Sequence, residues 1–333
     1  MNGMKPTSGV NGCSSSLVTA PIALFVYNRP DHTRETVEYL RHNELAPQSD
    51  IYIFSDGPKN AAAMGKVATV RNYLESIDGF RSVSIVERDH NYGLAKSIID
   101  GVTQVCEQFG RAIIMEDDLL SAPDFLTFVN RALVKYEASE SVFSVTGFNY
   151  ALSVPSEYPF DAFLTSRCSS WGWATWKNRW RQADWEMNDF ERFMRSREQR
   201  RSFNRGGNDL TRMLAMQMRG EIDSWAIRWA YTHFKHDALA LYPVHSRIVN
   251  VGFDGTGVHC RVSRIPQAQL SSTGTAEYRF PDHIQGNAYF SKQIRDLHAV
   301  SLARRFAPRW AKDAALWLLK KRKSTIPGSV QIT

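Results

Sequence analysis

The chain has 333 residues, 43% hydrophobic and 23% charged, with a formal net charge of +7. That composition belongs to an ordinary globular protein with enough chain for one large or two modest domains, and no run approaches the roughly 18–20 apolar residues that span a bilayer. The charge is concentrated: from Arg295 to Lys323 nine Lys or Arg face two Asp, which accounts for the whole +7, so the remainder is formally neutral and a nucleic-acid-binding core is not expected.

The N-terminus, "MNGMKPTSGVNGCSSSLV", is polar and rich in Gly, Ser and Asn. It reads as a disordered leader over residues 1–20, with neither the apolar region of a secretion signal nor an anchor. From there "IALFVY" (22–27) is a buried-strand run, and Asp31 is placed to cap a helix carrying Val37 and Leu40 inward. "IYIF" (51–54) is a second strand followed by Ser55-Asp56-Gly57-Pro58 turn chemistry, and a helix is expected over Ala61 to Ile77. "VSIV" (83–86) is a third strand, Leu94, Ile98, Val102, Val105 and Phe109 fall at helical spacing, and "AIIM" (112–115) is a fourth strand ending at Glu116-Asp117-Asp118.

Strands alternating with helices imply an α/β fold with a mostly parallel sheet covered on both faces. Ligands of such sheets bind outside the carboxyl ends of the strands. Asn28-Arg29, Asp56-Gly57 and the three acids all follow strands and should therefore meet at one edge.

After Tyr150 the character changes. Residues 168–185 hold five of the nine tryptophans, and 190–220 read as charged helix broken at Gly206-Gly207. "DSWAIRWAYTHF", "LALYP" and the glycine-rich "GFDGTGVHC" follow, and a basic helix interrupted at Pro308 is expected from about Gln293. Four scattered cysteines (Cys13, Cys106, Cys168, Cys260) show no C-x-x-C spacing and read as reduced thiols, as in a cytosol, not as a zinc site or disulfide framework.

Adjacent carboxylates at a strand end suit a hard divalent cation, Mg²⁺ or Mn²⁺, whose coordination a diphosphate completes. A solvated acidic turn is the competing reading. "PIALFVYNRP", "YIFSDGPK", "NYGLAKSIIDGV" and above all "AIIMEDDLLSAPDFLTFVNRAL" together resemble the nucleotide-sugar half of GT-A fold glycosyltransferases, whose D-x-D-type motif the acid triplet matches. Within these the order of motifs is similar to the N-acetylglucosaminyltransferase I group and its bacterial surface-polysaccharide relatives. The resemblance spans about Pro21 to Cys260 and includes "SWGWATW", "DSWAIRW" and "GFDGTGVHC".

The resemblance implies a GT-A type, Rossmann-like sheet with a mixed α+β acceptor half. It divides the chain into a nucleotide-sugar half (21–150), an acceptor and catalytic half (151–290) and a basic C-terminal tail (291–333). It implies Asp118 as metal ligand, Asp117 toward ribose or diphosphate, and Asn28, Arg29 and Asp56 around uracil and phosphate, with His90 either touching the nucleotide or simply exposed in its loop. His259 would reach metal or diphosphate, or else be a buried histidine satisfied by backbone. The activity implied is transfer of a hexosyl or N-acetylhexosaminyl group from a UDP-sugar onto a glycan or polyprenyl-linked acceptor.

Inversion needs a carboxylate base opposite the leaving diphosphate. Asp223, before "SWAIRW", matches the acid-before-Trp position of the resembled group; it could equally cap the helix that follows, or do both. Trp171 and Trp173, flanking Gly172, could line a sugar pocket or stack in the core. The tail mixes Phe306, Trp310 and Trp317 with clustered Lys and Arg, suiting either an anionic membrane surface or docking on its own domain. The membrane reading gives a cytoplasmic enzyme peripheral to the inner face of the plasma membrane. A nucleotidylyltransferase would carry a glycine-rich loop after the first strand, and "VYNRPDHT" has no glycine. A non-catalytic glycan-binding protein using the tryptophans remains the alternative.

Overall fold

The computed structural model describes residues 18–254, 267–270 and 277–299. Each early apolar run is a strand and each amphipathic stretch between them a helix: β1 (Ile22–Val26), α1 (Pro30–Arg41), β2 (Asp50–Ser55), α2 (Ala61–Leu74), β3 (Ser82–Glu87), α3 (Leu94–Phe109) and β4 (Arg111–Glu116). Then come β5 (Leu119–Ser121), α4 (Phe125–Lys135), β6 (Val142–Thr146), β7 (Ala162–Thr165) and β8 (Trp173–Trp176). Short helices α5 (Lys177–Trp180), α6 (Phe190–Arg195), α7 (Arg197–Phe203) and α8 (Leu210–Met218) lead to α9 (Trp225–Lys235), β9 (Leu239–Pro243), β10 (Ile248–Asn250) and α10 (Ala288–Leu297).

Eight strands form one mixed sheet in the order β3-β2-β1-β4-β8-β6-β9-β7. The pairs β3–β2, β2–β1, β1–β4 and β6–β9 are parallel, while β8 runs antiparallel between β4 and β6 and β7 antiparallel to β9. Alternation along β1 builds two cores. Ile22, Leu24 and Val26 pack toward α1, α2 and α4, and Ala23 and Phe25 toward α3 and α9. A third cluster, Phe193, Phe203, Leu214 and Tyr231, ties α6, α7, α8 and α9 together. Each such side chain taken fully from water contributes about 1.5–3 kcal/mol, before the entropy cost of ordering it.

Three local expectations change. Helix α1 starts at Pro30 with Arg29 in the cap position and no side-chain cap bond, so Asp31 is a first-turn acid. The ring of Pro30 presets the helical φ and removes one orphan N–H, making a capping carboxylate unnecessary. Helix α2 ends at Leu74, where Ser76 N and Ile77 N turn back onto the carbonyls of Tyr73 and Leu74. The last described helix begins at Ala288, earlier than Gln293, because the Asn287 side chain accepts from Tyr289 N and Phe290 N. The basic segment beyond residue 299, with Pro308, and the glycine-rich stretch carrying His259 lie outside the described residues. Among the described residues no helix is long and apolar enough to cross a membrane.

Candidate functional site

The parallel strands β1, β2, β3 and β4 all deliver their carboxyl ends to one edge, and the polar residues that follow them meet there. Arg29 Nη2 donates to Asp117 Oδ1 and, at 2.9 Å, to Asp118 Oδ2. All three side chains are largely buried, at 16%, 7% and 6% exposure. The backbone carbonyl of Asp117 accepts from Thr36 Oγ1 at 2.9 Å, which fixes the turn after β4 against α1.

Three carboxylates thus crowd one guanidinium. Burial, reinforced by the charges of Asp118 and Asp117, pushes the Glu116 carboxyl up to about 8. Burial also raises Asp117 above the carboxylate range, against the pull of Arg29. Arg29 itself loses hydration, but the two aspartates more than offset that and hold it firmly cationic. Its Nη1 is buried and makes no hydrogen bond among the described residues.

The other wall of the acid edge comes from far along the chain. Strand β10 pairs antiparallel with β5, setting Asn250 opposite Leu119. Val251 N then donates to Asp118 O at 2.9 Å, and Asn250 Nδ2 stands 3.5 Å from Asp118 Oδ1. Gly252 lies so close that a Cβ there would sit 2.0 Å from Asp118 Oδ2 and 3.0 Å from Arg29 Nη1. A buried ion pair anchors this ribbon: Arg247 Nε donates to Asp124 Oδ2 at 3.0 Å, with the side chains at 4% and 1% exposure. His32 Nε2 meets Asp254 Oδ2 at 3.4 Å just beyond Gly252.

Asp56 has a different place from the one its motif implies. Its Oδ1 accepts from Gly57 N at 3.0 Å and Tyr92 N at 2.8 Å, and its Oδ2 from Asn91 Nδ2 at 2.9 Å and Gly93 N at 3.1 Å. With four donors its lone-pair positions are filled, so in this structure the carboxylate builds the loop after β3 and has no position left for a base N–H. His90 in that loop is exposed and packs on Tyr92 with ring centroids 4.8 Å apart. Asn28 is half-buried between β1 and Arg29.

The same loop brings in Asp223. Gly93 has φ +74, and a Cβ built there would lie 3.5 Å from Asp223 Oδ2. Asp223 is exposed and is not the cap of α9: that is Ser224, whose side chain accepts from Ile227 N. The Asp223 carboxylate is therefore not committed to the helix end.

The two tryptophans separate. Trp173 is 0% exposed, stacked on Trp225 at 5.1 Å and flanked by Trp180 and Trp229. It belongs to the core because β8 is an interior strand of the sheet, so its ring is not offered to a sugar. Trp171, two residues ahead of that strand, is half-buried and meets Phe148 at 4.5 Å and Phe253 at 5.5 Å.

The structure thus collects Arg29, Asp117, Asp118, Asp56, His90 and Asp223 along one edge. Sequence reasoning missed Asn250 and the contact role of Gly252; the signal was an Asn closing the apolar run "RIVN" directly before "VGFDG". Among the described residues no group of three or more His, Cys, Asp or Glu is arranged to hold a metal ion. Cys106 and Cys168 are free thiols, both pushed up to about 12 by burial.

No family model matches the chain, and no curated protein does. Among solved structures it is similar to the mannosyltransferase PcManGT from Pyrobaculum calidifontis in complex with GDP-Man and Mn²⁺, at 14% identity and a TM-score of 0.34, over 50% of this chain and 49% of that one. It is also similar to S. aureus TarS, at 11% identity and a TM-score of 0.32, over 49% of this chain and 30% of that one. The chain thus spans about half the length of the first and under a third of the second, and at these values a functional assignment rests on the residues of the site and not on the likeness.

Proposed function

We propose that this chain is a metal-dependent glycosyltransferase of GT-A type that moves a sugar from a nucleotide-sugar, a UDP-sugar by its motifs, onto a glycan or polyprenyl-linked acceptor with inversion. The observation that carries the reading is the acid edge: Asp117 and Asp118 buried against Arg29, with Asn250 and Gly252 closed over Asp118. Burying the Asp117 and Asp118 carboxylates with a single guanidinium costs solvation that an incoming cation would offset.

The donors are hard oxygens of the kind Mg²⁺ or Mn²⁺ takes, and phosphate and water would complete the shell. Asp118 would hold the ion, and Asp117 would share Arg29 with it. When bound, the cation would neutralise the charge that develops on the leaving diphosphate. Arg29 would present its unpartnered Nη1 to a phosphate oxygen, and Asn28 and His90 would contact the nucleotide. Asp56 keeps the loop after β3 in shape. Asp223, uncommitted to the helix cap, would take the proton of the acceptor hydroxyl. In this reading residues 21–150 hold the nucleotide-sugar and 151–290 hold the acceptor and base.

Calorimetric titration with UDP and with GDP, with and without Mn²⁺, on the wild type and on Asp118→Ala tests the proposal. Metal-dependent binding of UDP lost in the variant supports it. Binding of neither nucleotide under any condition overturns it and leaves the acids as a structural turn.

A further inference from the structure

A cavity of about 260 Å³ opens between the segment 167–171 ahead of β8 and helices α8 and α9. Its position links the two ends of the proposed chemistry. On one side it is lined by Trp171, which leans on Phe253, the residue after the glycine that abuts Asp118. On the other it is lined by Trp225 and Ala226, directly after the Asp223–Ser224 pair.

Its walls are of two kinds. Leu210, Met213 and Ile227 make an apolar depth, while Ser169, Ser170 and Arg167 bring polar atoms to it. Arg167 is not a free cation. Its Nη1 and Nη2 both donate to Asp209 at 2.9 Å, a bidentate pair of 10% and 13% exposure. His298 Nδ1 stands 3.6 Å from the same carboxylate, and its Nε2 is 3.0 Å from Tyr150 OH. Because the guanidinium is neutralised in place, the described residues that line the cavity offer no unpaired charge to a carboxylate or phosphate, and an uncharged guest suits it.

The volume lies just below the range of pockets for drug-sized ligands, which fits one ring in place of an oligosaccharide or a lipid chain. An indole beside polar side chains suits a pyranose, whose C–H face is apolar and whose edge carries hydroxyls. The apolar depth has nothing to gain from a hydroxyl and suits a methyl group.

Resting on the glycosyltransferase reading, we infer that this cavity is the acceptor site and that its guest is an uncharged pyranose bearing a methyl group, with the ring on Trp171, hydroxyls toward Ser169 and Arg167, and the methyl toward Leu210 and Met213. The methyl can come from an N-acetyl group or from a 6-deoxy sugar.

Saturation-transfer NMR on the full chain without nucleotide tests this, using the methyl glycosides of N-acetylglucosamine, rhamnose and glucose. The expected result is that one methyl-bearing sugar binds about four-fold more tightly than the glucoside, the effect of one buried methyl-sized group, with the strongest saturation on its acetyl or 6-deoxy methyl. Which of the two binds identifies the source of the methyl. Binding should fall in Trp171→Ala and in Ala226→Leu, which fills the space; if either fails to fold, the saturation pattern on the wild type decides. No binding by any glycoside, or equal binding of all three, overturns the inference. UDP titration with Mn²⁺ on the same preparation separates the two claims. Glycoside binding without nucleotide binding removes the transferase reading, and nucleotide binding without glycoside binding removes this one.

Discussion

Adding one methyl group at Gly252 should disable the acid edge without unfolding the protein. Gly252 lies outside the left-handed backbone region, so alanine meets no conformational barrier there; what it meets is Asp118, with Oδ2 at 2.0 Å and Cγ at 2.8 Å from the new Cβ. Carbon contacts relax only near about 3.5 Å, so the carboxylate must move by about 1 Å or more from its place beside Arg29 and Asn250. A displacement of that size at a ligand-holding group costs about 10–100-fold in affinity, or about 1.4–2.8 kcal/mol. The assay is calorimetric UDP binding in Mn²⁺, with thermal unfolding alongside. The matched control is Gly65→Ala in α2, where a new Cβ meets nothing within 4 Å. It should leave binding alone and stabilise the fold by up to about 1 kcal/mol, the helix-propensity difference between the two residues. Gly252→Ala that binds UDP within two-fold of the wild type, while folded, would refute the placement of Asp118 at the ligand.

The buried charges and thiols have consequences of their own. Arg247→Met leaves the Asp124 carboxylate buried with Tyr278 OH at 2.9 Å as its side-chain partner among the described residues; the cost should be about 3–5 kcal/mol, read as a lower urea midpoint, and an unchanged midpoint would show that Asp124 is hydrated. Burial, helped by the charge of Arg167 and opposed by Asp209, pulls His298 from 6.5 down to about 4 in the folded state. The unfolded chain therefore takes up this proton first, so the associated stability is present above pH 6.5 and is lost as pH falls toward 4. In His298→Asn the slope of unfolding free energy against pH between 6 and 4.5 should be shallower by up to about 1.4 kcal/mol per unit, and an unaltered slope in urea titrations would contradict it. Cys106 and Cys168, both at about 12, should stay unmodified by iodoacetamide at pH 8 until urea unfolds the chain, as peptide mass spectrometry would show.

The early strands and helices were legible because each is announced by residues within a few positions of one another: "IALFV" and "AIIM" are continuous apolar runs, and Leu94 through Phe109 repeat at helical spacing. The meeting of Arg29 with Asp117 and Asp118 was legible too, since parallel strands must put their carboxyl ends on one edge. Boundaries were less so. Whether Asp223 or Ser224 caps α9 turns on one residue, and side-chain geometry decides it. The apolar/aromatic pattern of "WGWATW" likewise does not say which indole faces in. Trp173 is inside because β8 slots between β4 and β6, a pairing that the sequence around it does not encode.

By itself, then, the sequence determined the alternation of elements, the strand-end acids and their chemistry as hard oxygen donors, since these depend on local pattern and on residue type. The tertiary structure alone decided what closes over those acids. Asn250 reaches Asp118 across 132 residues through the β5–β10 ribbon, and Asp56 proves to be a fully satisfied carboxylate because a loop 35–37 residues further on folds back onto it. Contacts of that separation are set by which surfaces pack together once the sheet has formed, and burial and hydrogen-bond saturation are properties of that packing, not of any one stretch of chain.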